Sequence, residues 1–340
     1  MKTAKAIILT SVFFLSACNQ SSEHQHDLVK ITNTECQKRI EEYYKCETCQ
    51  KLFLDEEAKE EITSKDLEHV YTWKFYDDEE GGTKNGTCQY CYHKYSYLNA
   101  PMFESKCFTS SLDIDVNYRV YTPFETEEEK YPLILFLHGS GERGTDNISQ
   151  LKNAIKEPFK AGDQNFFNSV VLAPQCLPDP TRWVDCDWSL GNYELSQVEE
   201  SDMLASVVEL LEEYKDLPYI DSNRIYVIGL SMGGEATWDL LARHGELFAA
   251  GVPICGCGPK DCVSRLKDIP IYGFHGDKDT TVPYKTSTIE MYELIKAAGG
   301  DKMEFVTFSG QGHGIWNQAI VYKGDSEHPA LSEWLFSKTK

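Results

Sequence analysis

Residues 224–236, RIYVIGLSMGGEA, decide the fold. Ile225, Tyr226, Val227 and Ile228 form the short apolar run of a fully buried strand. Gly229-Leu230-Ser231-Met232-Gly233 then fits Gly-x-Ser-x-Gly, and residues 235–244 read as a helix with Ala236, Leu240 and Leu241 on one face. A strand, a tight turn and a helix are the setting in which such a serine is held in a strained conformation, its hydroxyl raised above a sheet edge. Side chains two residues to either side would collide, which accounts for glycine at 229 and 233. Composition alone produces roughly 0.1 such pentapeptides in a chain of this length, and the downstream residues described next reduce the role of chance further.

Around this stretch, apolar runs recur at 133–137, 170–173, 249–254, 271–274 and 305–308, and residues 115–121 alternate like an antiparallel strand. Helical stretches lie between most of them. The clearest is 198–214, with Met203, Val207, Leu210 and Leu211 on one side. Strands alternating with helices predict an α/β domain with a mainly parallel sheet flanked by helices, and active sites on such sheets gather at the carboxyl ends of the strands. Three strand ends carry chemistry. One holds Ser231, one holds Asp277 and Asp279 in HGDKDTTVP, and one holds His313 in GQGHGIW. A serine hydroxyl needs a base to become a nucleophile. His313 would be that base and would return the proton to the leaving group. A carboxylate would hold the imidazole tautomer. An oxyanion hole must then carry the developing charge, with donors expected from the backbone N–H of Met232 and, in the loop after the strand at 133–137, that of Ser140.

LHGSGERG, GLSMGG, HGDKDTTVP and GQGHGIW together resemble the α/β-hydrolase superfamily. More narrowly, they are similar to exported bacterial esterases of the feruloyl-esterase and polyhydroxybutyrate-depolymerase group, including chains described as predicted peptidases. The resemblance covers about residues 118–336. It implies an α/β-hydrolase fold and a Ser231-His313-Asp279 triad, the family acid standing just before the Val-Pro at 282–283, with Asp277 the nearby alternative. It also implies cleavage of carboxylic esters, acetyl or feruloyl esters of plant polysaccharides being favoured, with no cofactor for catalysis. A prolyl-oligopeptidase-type serine peptidase has the same triad and is the alternative activity, and a surface-binding protein with an inactive hydrolase domain is a third reading. Trp183, Trp188 and Trp316 are the aromatic candidates for the substrate pocket, with the core as the competing location for each. Cys176 and Cys186 are placed to staple the loop between them or to stay free, and Cys255, Cys257 and Cys262 read as packing or one local disulfide. His138 and His275 read as structural, and His244 as a helix cap.

The chain has 340 residues, 41% of them hydrophobic, and a formal net charge of −21. That charge argues against a nucleic-acid partner, because phosphate contacts need clustered Lys and Arg. Residues 1–18 combine Lys2 and Lys5 with an apolar run at 6–15, too short to span a bilayer and of the length of a signal-peptide core. Leu15-Ser16-Ala17-Cys18 resembles a bacterial lipobox, which implies cleavage before Cys18 and a lipid on its sulfur. A plain secretory signal is the alternative, and either reading places the protein outside the cytoplasm, the lipoprotein reading on the extracytoplasmic face of the membrane.

Residues 19–104 differ from the rest: a short polar tether, then a stretch with few apolar runs, many tyrosines and two Cys-x-x-Cys pairs, Cys46/Cys49 and Cys88/Cys91. Two such pairs fit a tetrahedral zinc ion, though their separation exceeds that of common zinc ribbons. His26, Cys36, Tyr44, Cys46, Cys49, Phe53, Asp55, Glu61 and Ile62 also resemble a small repeat module of Gram-positive surface proteins, with Gln50 where that module has glycine. Three readings stay open: a structural zinc held by Cys46 and Cys49 with either Cys88 and Cys91 or His26 and Cys36, disulfides, and free surface thiols. The expected division is a signal peptide at 1–18, the tether and a small Cys-rich β module at 19–104, and the hydrolase domain at 105–340.

Overall fold

The computed structural model describes residues 26–32, 42–63, 71–76, 83–88, 94–96, 102–123 and 130–340. The signal peptide, Cys18 and Cys91 lie outside the described residues, as does the side chain of Cys88. The chain divides into two compact units, Met1–Val70 and Tyr71–Lys340.

The first unit holds four antiparallel strands in sequential order: β1 (Leu28–Thr32), β2 (Glu42–Cys46), β3 (Leu52–Phe53) and β4 (Glu61–Ile62). Between β3 and β4 the Asp55 carboxylate accepts the backbone N–H groups of Glu57, Lys59 and Glu60, which shapes that turn. Its described buried apolar residues are Tyr43, Cys46 and Phe53, a core too small to hold such a unit by itself.

The second unit begins earlier than the sequence reading placed it. A three-stranded antiparallel sheet, β5 (Tyr71–Tyr76), β6 (Thr83–Cys88) and β7 (Lys94–Ser96), belongs to it. Trp73 supplies the reason. It is buried in one cluster with Phe103, Phe159 and Phe166, and its N–H donates to Gln164 Oε1 at 3.3 Å. A single aromatic anchor leaves no periodic trace, so composition alone drew this segment toward the Cys-rich half.

The main sheet has eight strands: β8 (Glu104–Thr109), β9 (Asp115–Tyr121), β10 (Tyr131–Leu137), β11 (Val170–Pro174), β12 (Ile220–Leu230), β13 (Ala250–Ile254), β14 (Ile271–Gly276) and β15 (Met303–Phe308). Their spatial order is β15-β14-β13-β12-β10-β11-β9-β8. The six strands from β10 onward run parallel, while β9 is antiparallel to both β11 and β8. Leu133, Leu135 and Leu137 of β10 enter one buried cluster, and Ile134 and Phe136 enter the other. Both faces are covered, which explains why β10 reads as an unbroken apolar run rather than an alternation. The edge strand β8 has no such run. Its residues are mostly exposed, with Glu104 and Lys106 on it, and the sequence reading missed it.

Helices cover the two faces: α1 (Glu157–Lys160), α2 (Gln164–Phe167), α3 (Asp202–Lys215), α4 (Met232–Arg243), α5 (Val263–Leu266), α6 (Thr288–Ala297), α7 (Trp316–Ala319) and α8 (Leu331–Phe336). The α3 helix starts four residues later than its apolar periodicity suggests, because Ser201 caps it, its Oγ accepting the Leu204 N–H at 3.1 Å. Among the described residues no helix is long and apolar enough to cross a membrane.

Candidate active site

Ser231 sits between β12 and α4 with φ 53° and ψ −121°, a left-handed conformation that a non-glycine residue adopts only when its surroundings impose it. The imposition is steric. A Cβ on Gly229 would lie 2.0 Å from the Gly233 carbonyl oxygen, and one on Gly233 would lie 2.0 Å from that of Leu137. Gly229 is pressed against α4 and Gly233 against the end of β10, so only hydrogen fits at either position.

The three chemistry-bearing strand ends meet. His313 Nε2 lies 2.8 Å from Ser231 Oγ, and His313 Nδ1 lies 2.6 Å from Asp279 Oδ2. Asp277 is not part of this relay, since its Oδ1 accepts the Gly310 N–H at 2.7 Å and braces the loop that carries His313. Asp279 is buried. Its Oδ1 accepts the N–H groups of Thr281 and Val282 at 2.9 and 3.0 Å. A second imidazole reaches Oδ2, with His275 Nε2 at 3.1 Å. Burial pushes this carboxyl up, but the hydrogen bonds from His275, His313 and Val282 outweigh it and hold it below the usual carboxylate range. The site therefore keeps a fixed negative charge behind His313. Cys255, also at positive φ, places its buried sulfur within 4.8 Å of the ligating atoms of Asp279 and His313.

Ser231 opens into a cavity of about 230 Å³ lined by Gly139, Ser140, Met232, Trp188 and Trp316 among others. Met232 opens α4, where the first N–H groups lack carbonyl partners within the helix, and Ser140 begins the turn after β10. Trp316 packs edge-on to His313, ring centroids 5.3 Å apart. Trp188 lies on the opposite loop, with the Arg182 guanidinium 4.4 Å over its ring. Trp183 does not line this cavity, and its assignment to the substrate pocket is corrected here. It is fully buried beneath the loop, and its indole N–H donates to the His138 carbonyl at 3.0 Å.

His138 is structural in a definite way. The Cys176 backbone N–H donates to its Nε2 at 2.9 Å, so the ring proton sits on Nδ1 and points to the Gly139 carbonyl at 2.6 Å. Burial lowers its pKa to about 4. The neutral ring thus ties the Gly139–Ser140 loop to the segment after β11. His244 ends α4 and pairs with Glu200 at 2.7 Å.

Two features escaped the sequence reading. Glu142, on the cavity wall, is buried with Oε1 accepting from Asn153 at 2.6 Å and Oε2 without a hydrogen-bond partner, and burial raises its pKa. Below the serine turn, Cys186 Sγ faces Cys257 Sγ at 3.9 Å, and the fully buried Glu235 has an oxygen 3.9 Å from Cys186. The pairing considered from the sequence was Cys176 with Cys186, and the tertiary structure brings Cys257 to Cys186 instead. No sequence signal marks either feature, because both depend on contacts between distant segments.

The order of strands and the site at their carboxyl ends define an α/β-hydrolase fold. The dienelactone hydrolase family model matches residues 182–335, from the loop carrying Trp183 and Trp188 to α8. A crystal structure of a thermostable esterase superposes with a TM-score of 0.60 at 27% identity, covering 82% of this chain and 79% of that one. The bifunctional acetylxylan esterase/xylanase XynS20E of Neocallimastix patriciarum is 26% identical over 166 residues, 49% of this chain. The match spans only 22% of that relative's length. Dipeptidyl peptidase 4 of Porphyromonas gingivalis shares the fold, with a TM-score of 0.51 at 13% identity over 93% of this chain and 50% of that one.

Proposed function

We propose that this protein is an exported serine hydrolase of carboxylic esters, acting on acetyl or feruloyl esters carried by plant polysaccharides. The observation that carries the reading is the unbroken relay from Ser231 Oγ through His313 to the buried Asp279, at 2.8 and 2.6 Å. Ser231 Oγ attacks the ester carbonyl carbon while His313 Nε2 takes its proton. The carbonyl oxygen gains the charge and is held by the N–H groups of Met232 and Ser140. Collapse breaks the bond to the alcohol, which leaves with the proton from His313, and the acyl group stays on Ser231. Water, deprotonated by the same imidazole, then attacks the acyl-enzyme, and the acid leaves with Ser231 reprotonated. The carboxylate behind His313 stabilises the imidazolium in both halves.

The cavity of about 230 Å³ beside Ser231 has room for an acyl group between Trp188 and Trp316. Likeness to an esterase supports ester hydrolysis, and the acetylxylan esterase in the name of the bifunctional relative favours an acetyl group. The test is a panel of p-nitrophenyl acetate, acetylated xylan, methyl ferulate and a peptide anilide, run beside fluorophosphonate labelling. Ester turnover with Ser231 labelled is the expected result. Peptide cleavage outpacing every ester would move the activity to a peptidase, and absence of both turnover and labelling would leave an inactive domain.

The location is part of the proposal. Residues 1–18 support export and lipid attachment at Cys18. In a bacterial host, Cys18→Ser should shift the protein from the membrane to the soluble extracytoplasmic fraction; equal membrane retention would contradict the anchor.

A further inference from the structure

We propose that the first unit holds a zinc ion on His26, Cys46 and Cys49, which decides between the two sets the sequence left open, Cys46 and Cys49 with Cys88 and Cys91 or with His26 and Cys36, for the one that contains His26; Cys36 lies outside the described residues. The placement follows from the backbone. Strand β1 pairs with β2 in the register Leu28↔Cys46, so the chain just before β1 lies beside the turn that follows β2. The Glu47 N–H donates to the Asp27 carbonyl at 3.0 Å and ties the two together. His26, twenty residues before Cys46 in sequence, thereby arrives at the Cys-x-x-Cys turn.

That turn has the form of a metal knuckle. The Cys46 N–H donates to the Lys51 carbonyl and the Gln50 N–H to the Cys46 carbonyl, each at 2.9 Å. The Cys49 N–H points at Cys46 Sγ, 3.5 Å away, as donors do toward a thiolate that carries negative charge. Gln50 takes φ 62° to let the chain leave the turn. This is the one position in the resembling surface modules where glycine stands, and the left-handed backbone explains that preference.

The ligand spacing is that of a tetrahedron. Zinc–sulfur bonds of about 2.3 Å and zinc–nitrogen bonds of about 2.0–2.1 Å at tetrahedral angles place sulfur and nitrogen about 3.6 Å apart. Cys49 Sγ and His26 Nδ1 are 3.6 Å apart, and the three ligand atoms all lie within 4.8 Å of one another. Cys46 is fully buried and His26 packs its ring against the buried Phe53 at 4.7 Å, so Nδ1 is aimed at the sulfurs by packing. Two thiolates and an imidazole suit zinc over the hard cations, which prefer oxygen. Two other clusters, Cys186-Glu235-Cys257 and Cys255-Asp279-His313, are less suited. The first is wholly buried, where burial favours its neutral forms, and the second is the catalytic relay.

The test uses the full-length protein, purified without chelating resin. Elemental mass spectrometry should find zinc, and one equivalent per chain should be lost in His26→Ala and in Cys46→Ser/Cys49→Ser, while Cys88→Ser keeps it. All variants should retain hydrolysis of p-nitrophenyl acetate, since the hydrolase unit has its own core. Cobalt loaded in place of zinc should give the strong visible bands of a tetrahedral ion and a thiolate charge-transfer band, a readout that needs no variant to fold. Metal-free wild-type protein with Cys46 and Cys49 joined as a disulfide would overturn the proposal. So would unchanged metal content in the His26 or Cys46/Cys49 variants, or octahedral cobalt spectra without thiolate charge transfer.

Discussion

At the scale of single residues, Ser231, His313 and Asp279 form one hydrogen-bonded chain, and under the proposed mechanism removing any one should abolish most of the chemistry. Ser231→Ala should lower p-nitrophenyl acetate turnover by several orders of magnitude, leaving the effects of binding and the oxyanion donors; unchanged turnover would remove this serine from the mechanism. Asp279→Asn should cost on the order of 10⁴ in kcat, because the wrong imidazole tautomer is then favoured. Asp277→Asn should cost far less, within about tenfold, because Asp277 braces the Gly310 turn without touching His313. Measuring kcat for both variants under one protocol separates the two carboxylates, and a larger loss at Asp277 would reassign the acid. The two residues stand on one loop, and it is the position of Asp279 just before the Val-Pro at 282–283, through the family resemblance, that singled it out in the sequence.

At the scale of elements, the serine turn is a steric construction between β10, β12 and α4. Gly233→Ala would drive a methyl group into the Leu137 carbonyl, 2.0 Å from the ideal Cβ. A loss of about 2–3 kcal/mol in denaturant unfolding is expected, with activity falling as well, since relief of the clash moves Ser231 away from His313. A variant with wild-type stability and turnover would show that the turn is looser than its packing implies. The Gly139–Ser140 loop depends in the same way on a tether at a distance, through His138 and the N–H of Cys176. The elements themselves were largely legible. The parallel strands from β10 to β15 announce themselves as apolar runs because both of their faces are covered, and α4 follows from its periodicity. The edge strand β8 and the β5–β7 sheet were not legible, because charged, half-exposed strands leave no apolar signature.

At the scale of the whole molecule, two buried groups set opposite pH limits on stability. His138 has its pKa lowered to about 4 by burial, against 6.5 unfolded. The stability it contributes is present above pH 6.5 and is lost as pH falls toward 4, on the order of 3 kcal/mol in all. Glu235 is the reverse case. Burial raises its carboxyl well above the ordinary 4.5, so the fold favours the neutral form more than the unfolded chain does. Its contribution is present below pH 4.5 and declines as pH rises toward its folded pKa. As pH rises above 4.5 this contribution to thermal stability should decline, and Glu235→Gln should lessen the decline. Parallel pH curves for the two proteins would contradict a raised Glu235 carboxyl.

What the sequence determined by itself is what short-range sterics and periodicity dictate. Five residues around Ser231 specify the strained turn, because the two flanking glycines admit only one neighbour packing. Apolar runs specify a sheet covered on both faces, and the chain order of Ser231, Asp279 and His313 orders the relay. The tertiary structure alone decided which atoms meet across strands: Trp183 beneath the pocket rather than in it, Cys257 facing Cys186, and, of the partners considered for Cys46 and Cys49, His26 beside them. The physical reason is register. A shift of one residue in strand pairing turns a side chain to the opposite face, and register is set by the packing of the whole sheet rather than by the residues that use it.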